Sequence, residues 1–162
     1  MTITRWIVSG PAVFLVHDAE EILTVEPWLR AHRAELPAVV QPLTAVSTEQ
    51  FALAVGMLFV GFLAAAVHAV GQARRGHVSV PFMIIAGALV ANGFTHLAQA
   101  AYFRSYTPGV VTALLLVLPY GYCLGARLLA AGLVTQRALI GAVAVGAVAQ
   151  IPIAALALLA VR

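Results

Sequence analysis

Five apolar stretches, each long enough to cross a bilayer, constrain this chain more than any other feature. They run over about 3–24, 50–70, 79–103, 109–131 and 138–161. A helix needs roughly 20 residues to span the hydrocarbon core. Only structures that satisfy their own backbone hydrogen bonds persist there. The expected fold class is therefore all-α: one integral membrane domain, 1–162, built as a bundle of about five transmembrane helices. Composition points the same way. Of the 162 residues, 62% are hydrophobic and 9% charged, whereas a soluble domain is about 25% charged. Such a composition excludes an ordinary cytosolic fold and a disordered chain. The nine basic residues are all Arg and are scattered along the chain, which argues against nucleic acid as a partner and for the lipid bilayer. The single cysteine, Cys123, excludes an internal disulfide and a thiolate metal cage.

Connections are short except for 25–48. That segment carries Glu26, Pro27, Trp28, Arg30, His32, Arg33, Pro37 and Pro42, a mixture expected of a lid or short helix at the membrane interface. The first stretch has Arg5 ahead of an apolar run, but a charged cluster follows in place of a small-residue cleavage site, so it reads as a retained span. With the N-terminus inside, Arg5, Arg74, Arg75 and Arg137 fall on the cytoplasmic side and Arg30, Arg33, Arg104 and Arg162 outside. The turn 72–77 has no acidic residue, whereas 25–48 has Glu26 and Glu35. The expectation is N-inside in a bacterial cytoplasmic membrane.

Half of the acidic residues lie inside a hydrophobic span. The run His17-Asp18-Ala19-Glu20-Glu21 sits in the first stretch. A charge at the bilayer centre costs about 2.5–3.5 kcal/mol on insertion scales, which makes such groups functional candidates. His17, Glu20 and Glu21 are spaced i, i+3 and i+4 and share a helix face. Asp18 points about a quarter turn away and reads as solvated or paired with an Arg. In the third stretch Asn92, His96 and Gln99 form a second stripe at i, i+4 and i+7. Spans 1 and 3 run in the same direction, and His17 and His96 each lie about seven residues before the end of their span. At 1.5 Å per residue both sit about 10 Å inside the same membrane face, where they can meet. Gln150 reaches a comparable level, and Glu49 at the start of span 2 is placed to cap the site. His68 lies near the opposite face. Gly121-x-x-x-Gly125 reads as close helix packing.

The motif His17-Asp18-Ala19-Glu20-Glu21, the pair Asn92-x-x-x-His96 and the turn Tyr106-Thr107-Pro108-Gly109 together resemble the HXXEE-domain family of small membrane proteins. That resemblance implies a site at these residues and suggests an enzyme, with metal dependence as one option; it implies no particular reaction.

Three functional readings remain open. In the first, His17, Glu20, Glu21 and His96 bind a divalent metal, zinc or iron, and the Glu left over serves as general base. Asn92, Gln99, Glu49, Tyr106 and Gln150 line or support the pocket, and the substrate is a lipid-soluble small molecule. In the second, a Glu/His pair isomerises or cyclises an isoprenoid or lipid by proton transfer without metal. In the third, the histidines ligate haem or the protein carries protons or ions. Homo-oligomerisation is compatible with all three.

Overall fold

A computed structural model describes residues 2–36, 38 and 45–161. Pro37, Pro42 and Arg162, which entered the sequence reading, lie outside the described residues. The described residues form five long helices: α1 (Ile3–Ala31), α2 (Thr48–Ala73), α3 (Val80–Phe103), α4 (Val110–Ala130) and α5 (Gln136–Ala160). No strand occurs among the described residues.

Helices α2 to α5 are each long and apolar enough to cross a membrane. Helix α1 has the length, but Asp18, Glu20 and Glu21 interrupt its apolar run. The outward faces are greasy: Leu53, Met57, Val60 and Val67 on α2, and Ile140, Val148 and Ile151 on α5, are all exposed. Patches of that kind suit lipid tails rather than water. Inside, Ile7, Phe62, Phe82, Leu89, Val117, Tyr120 and Leu124 form one apolar core shared by α1 to α4.

Glycines set how closely the helices approach. Helices α3 and α5 share the most extensive interface. A Cβ on Gly87 would strike the backbone of Ala142 and Val143, and one on Gly146 would strike that of Ala88. The two backbones therefore touch, the usual role of small residues between membrane helices. Gly121 likewise admits the Val90 side chain of α3, the close packing expected there, whereas Gly125 faces Leu139 of α5 at ordinary contact distance beside an open cleft.

Helix α1 continues well past the expected end of its span, through Pro27 to Ala31, before a short 3-10 turn at Arg33–Glu35. The first part of the expected interfacial lid is thus helix. Trp28 stacks on His32 with ring centroids 4.4 Å apart, meets Phe103 edge-on at 4.9 Å, and donates from Nε1 to the Tyr106 carbonyl at 2.9 Å. These contacts pin the end of α1 to the end of α3 and to the 104–109 turn.

Helix α4 has a wide π turn at Ala113–Val117, just before Pro119. A proline two residues beyond this turn has no N–H for the carbonyl four residues back, and its ring crowds that carbonyl. A π turn opens the backbone at such a point. Helix α4 begins after Gly109, which has φ +81°. As a glycine it offers no side chain to cap the helix, and the exposed N–H groups of α4 find their acceptor elsewhere.

Candidate metal centre

That acceptor is Glu20. Its Oε2 accepts from the Thr112 backbone N–H at 2.8 Å and from the Thr112 hydroxyl at 2.6 Å. Its Oε1 accepts from the Tyr106 hydroxyl at 2.9 Å and from the Val111 N–H at 3.3 Å. A carboxylate has about four lone-pair sites, and all are taken. Negative charge at the positive end of the helix dipole is also favourable. Glu20 is thus committed to the start of α4 and has no lone pair left for a metal or for a proton inside the site. The expectation that both glutamates converge on one centre therefore gives way to a division of labour. They are adjacent on α1, about 100° apart around the helix, and they face different neighbours.

Glu21 faces inward. Its Oε1 lies 2.7 Å from Nε2 of His96. His17 is fully buried and His96 nearly so. Their rings meet edge to face with centroids 4.9 Å apart, which places the two histidines at one depth as the helix arithmetic requires. The Asn92 amide nitrogen bridges them, 3.2 Å from Nε2 of His17 and 2.9 Å from Nε2 of His96. One atom each from His17, Glu21 and His96 lies within 4.8 Å of the other two. An unprotonated imidazole nitrogen and a carboxylate oxygen both present lone pairs, so their convergence calls for a positive charge between them, either a proton or a metal ion. Two imidazoles and one carboxylate are the donor set of many zinc and non-haem iron sites. This group could hold a metal ion.

The 104–109 turn closes the far side. A Cβ on Gly109 would stand 2.9 Å from Cε1 of His96, 3.0 Å from Cε1 of His17 and 3.1 Å from Cγ of Glu21. The bare backbone of this glycine is the wall against which all three side chains rest. Thr107 is fully buried beneath it, and its hydroxyl lies 3.5 Å from the His96 carbonyl. Nδ1 of His96 is buried with no hydrogen-bond partner among the described residues. On the other side of the centre, Nδ1 of His17 lies 2.8 Å from the Thr112 hydroxyl.

The remaining candidates separate clearly. Asn92 and Tyr106 belong to the assembly, Asn92 between the imidazoles and Tyr106 through Glu20. Gln99 and Glu49 are exposed and Gln150 is half-buried, and none of the three has a hydrogen bond to the centre. The acid that reaches the start of α2 is Glu26, which accepts from the Thr48 N–H at 2.6 Å and from its hydroxyl, and also pairs with Arg30. Asp18 departs from its expected solvated position: it is 6% exposed, and Oδ2 has no partner among the described residues. Thr112 was not singled out by the sequence. The readable signal was a helix start at Pro108-Gly109 without a capping side chain.

An apolar cleft of about 450 Å³ lies between α3, α4 and α5, lined by Val90, Phe94, Leu118 and Tyr122 among others. Val90 and Phe94 are nearly half a turn around α3 from Asn92, so this cleft opens on the side of α3 away from the centre.

A family model described as a protein of unknown function with HXXEE motif matches residues 8–124, which takes in both histidines, both glutamates, Asn92, Gly109 and Thr112. Comparison with curated proteins and with solved structures finds no match.

Proposed function

The chain belongs to the HXXEE family, and from that premise we propose that it is a membrane-embedded enzyme using His17, Glu21 and His96 to bind a divalent metal. The single observation supporting this reading is the meeting of two buried imidazoles and a largely enclosed carboxylate within 4.8 Å of one another. Zinc and iron are the ions whose preferences fit that donor set. When bound, such an ion polarises a substrate oxygen or lowers the pKa of a bound water. The protein's residues supply the rest: Asn92 holds the two imidazoles together, Gly109 shapes the wall, and Glu20 fixes α4 against α1. Because Glu20 is fully engaged, the base role expected of a spare glutamate has no free carboxylate at that position.

The substrate is a hydrophobic small molecule that enters from the bilayer. Support for this comes from the surroundings, since the centre lies among apolar helices whose outer faces are suited to lipid. In this reading α1 is a fifth span, with its charges turned inward and its N-terminus on the side of Arg5, Arg74, Arg75 and Arg137.

A second reading has its own observation. The 2.7 Å approach of Glu21 to His96 is equally the geometry of a carboxyl and imidazole sharing a proton, as an acid/base isomerase or cyclase of a lipid would need. The haem alternative fits poorly: rings that meet edge to face, with one amide bridging both Nε2 atoms, leave no gap for a macrocycle between them.

Metal analysis of detergent-purified protein tests the proposal. One equivalent of zinc or iron is expected, lost in His17→Ala and His96→Ala. Absence of binding after loading with Zn²⁺ or Fe²⁺ refutes the metal reading and leaves the proton-sharing one. Glu21→Gln then separates them further, because it removes the shared proton yet keeps an oxygen ligand.

A further inference from the structure

The hydrogen bonds around Thr112 form a chain whose direction can be deduced atom by atom. A carboxylate only accepts, so the Thr112 hydroxyl donates its one proton to Glu20 Oε2 at 2.6 Å. The other acceptor near that proton, the Gly109 carbonyl at 3.3 Å, is also acceptor-only and leads to the same result. The Thr112 oxygen is left with lone pairs alone. It lies 2.8 Å from Nδ1 of His17, so Nδ1 must carry the hydrogen and donate it. A neutral imidazole has one N–H. The Nε2 atom is therefore bare, and its lone pair points into the space shared with Asn92, His96 and Glu21.

We propose that Thr112, anchored by Glu20, is a positioning residue that locks His17 in its Nδ1–H tautomer and so presents the Nε2 lone pair as a ligand. This rests on the metal reading above for its purpose, though not for its geometry. It gives the two glutamates of the motif different tasks: Glu21 contributes to the centre directly, and Glu20 acts through Thr112. Partners behind a ligating histidine that fix its tautomer typically change metal affinity 10–100-fold when removed. Here that partner is a hydroxyl followed by a carboxylate. His96 has no equivalent, since its Nδ1 is unpartnered among the described residues; its orientation comes from Asn92 and Glu21 on the opposite edge.

Thr112→Val removes the hydroxyl while keeping the shape, and the backbone N–H groups capped by Glu20 are untouched. Thr112→Ser restores the hydroxyl. The experiment uses full-length protein labelled with ¹⁵N-histidine in detergent micelles without metal, with the His17 signals identified by their loss in His17→Gln. In the parent and in Thr112→Ser, His17 is expected as the Nδ1–H form; in Thr112→Val, the Nε2–H form becomes populated. Zn²⁺ affinity falls 10–100-fold in Thr112→Val and returns in Thr112→Ser. A parent with His17 protonated on Nε2 overturns the proposal, as does a Thr112→Val protein with unchanged tautomer and unchanged affinity. If the parent binds no Zn²⁺, the metal reading fails and the nitrogen spectra alone decide the tautomer lock.

Discussion

Replacing Gly109 with alanine perturbs the centre through a single methyl group. Two effects combine. The residue has φ +81°, and an L-residue in the left-handed region costs about 1–2 kcal/mol. The added Cβ also stands 2.9–3.1 Å from carbons of His96, His17 and Glu21, all tighter than an ordinary contact. Forcing a methyl into packed surroundings typically costs about 1–3 kcal/mol, and relief requires the three side chains to move apart. The total loss of stability is about 2–5 kcal/mol. Gly132 provides a matched control, with φ +66° and nothing within 4 Å of where a Cβ would stand. Gly132→Ala meets only the backbone effect, about 1–2 kcal/mol. Unfolding of both variants in the same detergent, with Zn²⁺ titration of each, separates the two contributions. Gly132→Ala should bind Zn²⁺ like the parent, while Gly109→Ala should lose a further amount of about 1–3 kcal/mol and bind weakly. Equal stability of the two variants, together with parental Zn²⁺ affinity in Gly109→Ala, would refute the argument that this glycine forms the wall of the site.

Truncating the two glutamates separately should give opposite patterns. Glu20→Ala leaves the α4 N–H groups without their acceptor and the Tyr106 and Thr112 hydroxyls with only their longer bonds to Thr24 and Gly109, and destabilises by about 2–4 kcal/mol, read as a lowered melting temperature, whereas Glu21→Ala removes metal binding with a smaller effect on melting. Glu26 lies beyond the expected span, and its bonds from Thr48, followed by the nearby Arg30 charge, hold its carboxyl below the ordinary range. A depressed folded-state pKa means that this stabilisation is complete above about pH 4.3 and disappears as pH falls through the lowered value; Glu26→Gln should flatten the acid side of a melting temperature against pH curve, and an unchanged acid limb would contradict that assignment.

The pairing of His17 with His96 was legible because helix rise is regular: two spans running the same way, with imidazoles equally far from their ends, must bring them to one level. The extent of α2 to α5 was legible because bilayer thickness fixes their length. Which of two adjacent acids faces the centre was not. Glu20 and Glu21 straddle the line through His17, and only the position of α4 decides between them. Thr112 was invisible for a related reason. A lone hydroxyl in an apolar helix usually bonds to its own backbone, as Thr24 and Thr95 do here, so nothing local marks one that reaches across. Glu26 read as part of an interfacial lid or short helix because of the Trp, Arg and Pro residues around it, yet helix α1 runs on through Pro27, since proline lacking an N–H is tolerated where tertiary contacts hold the helix end, as Trp28 does. Gln99 and Gln150 were placed by periodicity and depth, but neither tells whether a neighbouring helix comes close enough to cover a given stripe.

If α1 is the fifth span proposed above, its dependence on later helices has a consequence for biogenesis. Glu20 caps a helix that begins far downstream of it in the chain, at Val110, and Glu21 waits for His96. When α1 leaves the ribosome neither partner has been made, and each acid faces the unfavourable insertion energy of a lone charge. On its own, α1 is therefore a poor resident of lipid, to be retained at the translocon or the interface until α3 and α4 follow. In that reading, commitment of the first helix to the membrane is a late event, completed by synthesis of the fourth, and a chain truncated before Val110 should leave its N-terminal segment accessible to water-soluble labelling reagents.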